Sequence, residues 1–160
     1  PLPEAQLDRF LFKLLVLYPS LEEERRIVTR FGENQGLPNP RELGIETVAN
    51  AQILDAAFAA VQGVKLAESV VDYVVRLVRA TRESPDLSSG ASPRAAVLLA
   101  GAARARAALD GRDYVVPDDV KALATSVLRH RLLLSPAAEI EGKQVEALVA
   151  QLVEQTEAPR

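Results

Sequence analysis

Three places in this chain carry side chains whose type and setting could do chemistry. Arg9 closes the string Pro-Leu-Pro-Glu-Ala-Gln-Leu-Asp-Arg and stands just before a long apolar run. Arg94, in Gly-Ala-Ser-Pro-Arg-Ala, falls in the first turn of a predicted helix, where a cation opposes the helix dipole unless an anion lies nearby. Helix N-termini are natural phosphate sites, so an arginine there can add charge to one. The third place is the Asp118–Asp119 pair, which follows Val-Val-Pro at another predicted helix start, and helix capping accounts for it. On residues alone both arginines stay open, since Arg9 could equally be a surface cation paired to Glu4 or Asp8.

The same inventory removes several enzyme classes. There is no Cys and a single His, so a thiolate nucleophile, a disulfide and a His-based metal cluster are all excluded, and no metal ligands are expected. His130 sits between Arg129 and Arg131 in the last turn of a predicted helix, where it favours the dipole or half-covers the core edge rather than serving a Ser/His/Asp triad. Neither GxxxxGK[ST] nor GxGxxG occurs, so no phosphate loop is present in these residues. The chain holds no self-sufficient active site.

Composition narrows the class further. At 160 residues, 48% hydrophobic and 26% charged, the chain has the balance of a folded domain with a real core, or of one domain plus a small part of another. Nineteen basic against 22 acidic residues give a net charge of −3, which opposes a dedicated nucleic-acid binder. A helical DNA-binding module using Arg104, Arg106, Arg129 and Arg131 is therefore the least favoured reading. The chain opens at Pro1 and contains no Met, so it reads as a piece of a longer protein. Its apolar runs fall short of the roughly 20 residues a spanning helix needs, so no membrane insertion and a cytoplasmic location are expected.

The elements that must position these residues are mostly helical. Phe10 to Tyr18 is apolar apart from Lys13 and ends at Pro19, the pattern of a strand buried on both faces, with a buried helix segment as the competing reading. No downstream segment looks like its partner, so the rest of its sheet is expected upstream. Ser20 with Glu23 forms a capping box that opens a helix towards Phe31. Gly32 to Gly44 is predicted to be a loop. Further helices are predicted at about 47–61, 67–82, 93–109, 117–131 and 143–155, with Ser84 to Gly90 as a turn-rich break and Tyr114–Val116 as a short extended piece. In the 67–82 helix the buried stripe is expected to be Val70, Val71, Val74, Val75 and Val78, with Asp72–Arg76 and Arg79–Glu83 pairs opposite. Ser92 is the predicted cap of the 93–109 helix, with Pro93 at its first position.

Taken together, PLPEAQLDRF with its apolar run, ATRESPDLSSGASPRA, and GRDYVVPDDV followed by VLRHRL resemble the C-terminal part of a MoxR-type AAA+ ATPase, in order and from Pro1 to about Leu134. The resemblance implies a mainly α fold: a helical bundle of the AAA+ lid type, preceded by one helix and one orphan strand of an upstream αβα core. Residues 1–18 would then end the core and residues 19–160 would form the lid, with the Walker motifs upstream. By the same resemblance, Arg9 matches the arginine finger that reaches a neighbouring subunit's ATP, and Arg94 matches the sensor 2 arginine that contacts phosphates. Whether Arg94 serves its own subunit or a neighbour is left open, and Glu4 and Asp8 are given only positioning roles.

The implied parent hydrolyses ATP with Mg as a homo-oligomeric ring and acts as a chaperone for partner complexes, including von Willebrand A domain proteins. The fragment alone would bind no cofactor and be inactive. The alternative is a free-standing helical adaptor without nucleotide chemistry.

Overall fold

The computed structural model describes residues 3–32 and 43–159, and its elements run α1 (Glu4–Leu7), α2 (Leu21–Phe31), α3 (Ala51–Gly63), α4 (Glu68–Glu83), β1 (Leu87–Ser89), α5 (Pro93–Leu109), α6 (Pro117–Leu128), β2 (Leu133–Leu134), α7 (Pro136–Ile140) and α8 (Val145–Gln155). The chain divides into two compact units, one of Pro1–Leu14 with Ala57–Arg160 and one of Leu15–Ala56. The mainly helical class expected from the sequence is what the chain adopts.

In the larger unit, α4, α5, α6 and α8 enclose the core. The buried side of α4 is Val70, Tyr73, Val74, Leu77, Val78 and Thr81, a stripe at i, i+3, i+4, i+7, i+8 and i+11. This corrects the all-valine stripe, because Val71 and Val75 are exposed at 39% and 42%. Tyr73 and Leu77 bury more surface than the two valines would, and they fix the rotation of the helix. The Arg79–Glu83 pair forms at 3.7 Å, whereas Arg76 donates to the Glu157 carbonyl at 2.9 Å instead of meeting Asp72.

Alanine dominates the buried face of α5, with Ala95, Ala102, Ala103 and Ala107 around Leu99. Short side chains let neighbouring backbones approach, and α5 packs against both α6 and α4. From α6 come Val120, Ala124, Val127 and Leu128, and α8 closes the core with Leu148, Val149 and Val153. The expected turn-rich break after α4 contains β1, which pairs antiparallel with β2, setting Leu87 opposite Leu134 and Ser89 opposite Leu133. Strands of three and two residues are too short to show an alternation in sequence, and α7 is too short to show a helical period. The extended piece at Tyr114 forms a single parallel bridge to Lys65.

In the smaller unit the capping box at the start of α2 is present: the Ser20 hydroxyl accepts from the Glu23 N–H, and the Glu23 carboxylate accepts from the Ser20 N–H at 2.7 Å. The helix predicted from residue 47 starts instead at Ala51, because the Asn50 side chain accepts from the Ile53 N–H at 3.0 Å and caps it there. Most of the predicted Gly32–Gly44 loop, residues 33–42, lies outside the described residues.

Residues 10–18 are neither helical nor paired in a ladder with any described residue, so the helix reading of this run is overturned and no strand forms here. A strand needs an edge to pair with, and Val16, Leu17 and Tyr18 are 93%, 85% and 96% exposed. Within the larger unit its backbone N–H groups are tied from Lys13 to the Ser126 carbonyl at 3.0 Å and from Phe10 to the Leu7 carbonyl at 3.1 Å.

Candidate functional site

The start of α5 is fixed from α4. Thr81, buried in the last turn of α4, donates its hydroxyl proton to the Val78 carbonyl and accepts the Ala91 N–H at 2.9 Å. Next to it, Arg82 Nε donates to the Ala91 carbonyl at 2.7 Å. Both backbone groups of Ala91 are thereby held, and Ser92, Pro93 and Arg94 follow from a defined point. Gly90 makes this approach possible: a Cβ there would stand 2.7 Å from both the Arg82 Cα and the Thr81 carbonyl oxygen.

Ser92 is the N-cap residue of α5 by position, but its side chain makes no capping hydrogen bond. Its hydroxyl instead points to the Asp8 carboxylate, 3.0 Å from each oxygen. Asp8 also receives Arg131 Nε at 3.0 Å. The anion whose absence would make Arg94 unfavourable at a helix start is therefore supplied from within the chain. This corrects the reading of Ser92 as a cap.

Arg131 is the hub of the cluster. Its side chain is 1% exposed, and beyond Asp8 Oδ1 it donates to the carbonyls of Asp8, Phe10, Leu11 and Val127. Burial depresses its pKa, the Asp8 carboxylate opposes that shift, and the nearby charge of Arg94 adds to it. His130 Nε2 lies 2.9 Å from the Phe10 carbonyl, to which it donates in the Nε2–H tautomer, and 2.8 Å from Arg131 Nη1, while Nδ1 is enclosed without a partner. Burial first, then the Arg131 and Lys13 charges, hold the imidazole below its ordinary pKa despite the Phe10 hydrogen bond. Together Ala5, Leu7, Asp8, Gly90, Ser92 and Arg131 help to line a cleft of about 260 Å³.

Of the two arginines singled out by sequence, Arg9 follows Asp8 directly and is exposed, and Arg94 is exposed in the first turn of α5. The Asp8–Ser92 hydrogen bond ties the residue before Arg9 to the residue two before Arg94. Asp8 is engaged by Arg131 and Ser92 rather than by Arg9, and the Glu4 side chain lies outside the described residues. Sequence reading missed Arg131 as a buried anchor. Its only signal was an arginine directly followed by the apolar run Leu132–Leu134.

A second charged centre lies at the start of α6. Asp119, 2% exposed, accepts from the Val116 N–H at 2.9 Å and so caps the helix as predicted. It also takes two hydrogen bonds from Arg112, at 2.8 and 2.6 Å, and an ion pair from Arg106 at 3.5 Å. Burial pulls its pKa upward, but the Arg112 hydrogen bonds, the Val116 N–H and the two arginine charges outweigh this and hold the carboxyl below its ordinary value. This centre is structural.

Of the four arginines considered for nucleic acid, Arg106 pairs with Asp119, Arg129 with Glu146 at 3.7 Å, and Arg131 with Asp8. Among the described residues no group of three His, Cys, Asp or Glu side chains is placed to hold a metal ion, and no helix is long and apolar enough to cross a membrane.

Known proteins resemble this chain over nearly its whole length. The model of the AAA lid domain matches residues 79–152. Chaperone MoxR1 of Mycobacterium tuberculosis is 38% identical over 169 residues, a match that takes in all of this chain and 43% of that protein. An uncharacterized protein of Bacillus subtilis, YeaC, is 42% identical over 159 residues, covering 99% of this chain and 48% of its own length. The crystal structure of a candidate ATPase from Cytophaga hutchinsonii superposes with a TM-score of 0.83 at 29% identity, over 100% of this chain and 50% of that one. The chain thus spans about half the length of the curated relatives it matches.

Proposed function

We propose that the chain is the lid-bearing part of a MoxR-type AAA+ protein, a ring-forming ATPase that works as a chaperone. The observation that carries this reading is the match of the whole of this chain to 43% of Chaperone MoxR1, together with the lid-domain match over residues 79–152. In this reading residues 1–18 end the nucleotide-binding core, residues 19–160 form the lid, and the phosphate loop belongs to the other half of the protein. The free-standing adaptor is the weaker reading, because it gives no reason for that combined match.

ATP, with Mg, is the substrate in this proposal. Arg94 suits a phosphate, being an exposed guanidinium in a first helical turn. The end of α5 itself already faces the Asp8 carboxylate, so a phosphate would meet the Arg94 side chain rather than the bare helix terminus. Arg9 is the residue we assign to a neighbouring subunit's site. As phosphoryl transfer spreads negative charge over the equatorial oxygens, a guanidinium placed against them stabilises that charge, an effect typically worth roughly 10³ to 10⁵ in rate, or about 4 to 7 kcal/mol. Placing Arg9 and the phosphate loop on different subunits makes turnover depend on ring assembly, and Arg94 makes the lid respond to the bound nucleotide.

The chaperone role follows the name of the mycobacterial relative. Clients among partner complexes, a von Willebrand A domain protein among them, and a cytoplasmic setting complete the proposal. The test compares nucleotide affinity and turnover in the full-length protein. Arg9→Ala should keep the affinity and lose turnover by about 10³-fold or more, whereas Arg94→Ala should weaken the affinity. Normal turnover by Arg9→Ala would refute the finger assignment.

A further inference from the structure

From the Asp8–Arg131 contact we infer that Arg131 is a positioning residue for Arg9: the lid grips the segment that carries the finger and sets where the finger points. This rests on the finger reading above and deepens it. The grip is a set of bonds from one buried guanidinium to four acceptors on Asp8, Phe10 and Leu11, the residues on either side of Arg9. Nε reaches the Asp8 carboxylate at 3.0 Å, Nη2 the Asp8 carbonyl at 3.0 Å, Nη1 the Leu11 carbonyl at 3.3 Å, and Nη2 also the Phe10 carbonyl. His130 Nε2 lies 2.9 Å from the same Phe10 carbonyl, and Ser92 adds a second bond to the Asp8 carboxylate. Arg9 itself is the one residue of this stretch that Arg131 does not hold, and its side chain is left exposed.

The arrangement has a mechanical consequence. Arg131 sits just past α6, and Ser92 sits two residues before Arg94 at the start of α5. Both grip points therefore belong to the same packed helices that carry the phosphate-reading arginine. Any movement of the start of α5 is passed to Asp8, and through Asp8 to Arg9. A planar, multiply donating guanidinium suits this role, since a lysine could not hold four acceptors in one geometry. Its charge is matched by Asp8, and losing that carboxylate would leave the guanidinium buried without a counter-ion.

The test uses the full-length assembled protein as wild type, Asp8→Asn, Arg131→Gln, Arg9→Ala and the double variant Asp8→Asn with Arg9→Ala. The grip is read first without ATP, by hydrogen exchange at the Lys13 amide, which is bonded to the Ser126 carbonyl. Asp8→Asn and Arg131→Gln should each speed that exchange by about tenfold or more. Asp8→Asn, an isosteric change at a side chain that is 26% exposed, keeps the test valid should Arg131→Gln fail to fold.

In turnover, Asp8→Asn should lower kcat by about 10- to 100-fold with KM little changed, since a misplacement of about an ångström is enough. The same change in the Arg9→Ala background should cost nothing more. Unchanged Lys13 exchange in both variants would overturn the grip. An equal loss of kcat with and without Arg9 would overturn the positioning role, because it would mark a general structural defect. Wild-type turnover by Arg9→Ala would instead remove the finger reading, while the exchange result would still decide whether Arg131 holds the segment.

Discussion

Ser92 gives its hydroxyl proton to Asp8, 84 residues earlier in the chain, instead of accepting from the first-turn N–H groups of its own helix. An N-cap position has thus been turned from a helix-ending device into a tie between α5 and the segment after α1. Replacing Ser92 by Ala should leave the helix content of α5 unchanged. The loss should fall on residues 3–14, whose local opening should become easier by about 1.5 kcal/mol, the value of a hydrogen bond to a charged group. Hydrogen exchange by fragment decides it, and loss of protection within α5 itself would contradict the account.

Gly90 is set by the clamp on Ala91. Its added Cβ would meet the Arg82 Cα and the Thr81 carbonyl at 2.7 Å, and neither can swing away, since both belong to the α4 backbone. Gly90→Ala should therefore destabilise the larger unit by about 1–3 kcal/mol. A urea midpoint equal to wild type would show that the Thr81–Ala91 contact can shift freely.

Asp119 and Arg112 supply a pH-dependent element of stability. The folded carboxyl has a depressed pKa, so its contribution is complete above the ordinary value of 3.8 and is lost as pH falls through the lower folded value. Asp119→Asn should cost about 3 kcal/mol at neutral pH, towards the low end for a broken buried pair because Arg112 reaches solvent. The gap between wild type and variant should close on acidification below 3.8. A gap that persists in acid would mean that the carboxylate charge is not what Arg112 needs.

His130 has the opposite kind of group and the same sign. Its folded pKa is lowered, so the unfolded chain takes up the proton first and stability falls as pH drops below the ordinary 6.5. From the Nε2–H tautomer the proton would enter at Nδ1, which is enclosed and has no acceptor. Between about pH 7.5 and about pH 5.5 the urea midpoint should fall in wild type and change less in His130→Gln. A midpoint that rises on acidification would contradict the burial argument.

How far the sequence could be read follows from the range of each interaction. The capping box at Ser20, the limits of α5 and the cap at Asp119 were legible because each depends on residues within four positions. The stripe on α4 was misjudged by following valine doublets, although Tyr73 and Leu77 at the proper spacing were visible in the same helix. The strand expected at Phe10 to Tyr18 depended on a partner edge that these residues do not contain. Arg9 and Arg94 could be singled out by type and context. Arg131 could not, since its role depends on Asp8 at a separation of 123 residues, and Ser92 looks like an ordinary cap from its neighbours alone. Local rules found the elements, whereas the joint between them is a long-range contact with no periodic signature.

The most direct test of the account is steady-state ATP turnover by the full-length protein, with Arg9→Ala and a phosphate-loop variant measured separately and then mixed. The account predicts that each variant alone is inactive and that mixed rings recover part of the wild-type rate, because an intact Arg9 from one subunit then meets an intact phosphate loop on the next. Two inactive variants whose mixture stays inactive at every ratio, in rings shown to exchange subunits, would contradict the placement of Arg9 across the interface.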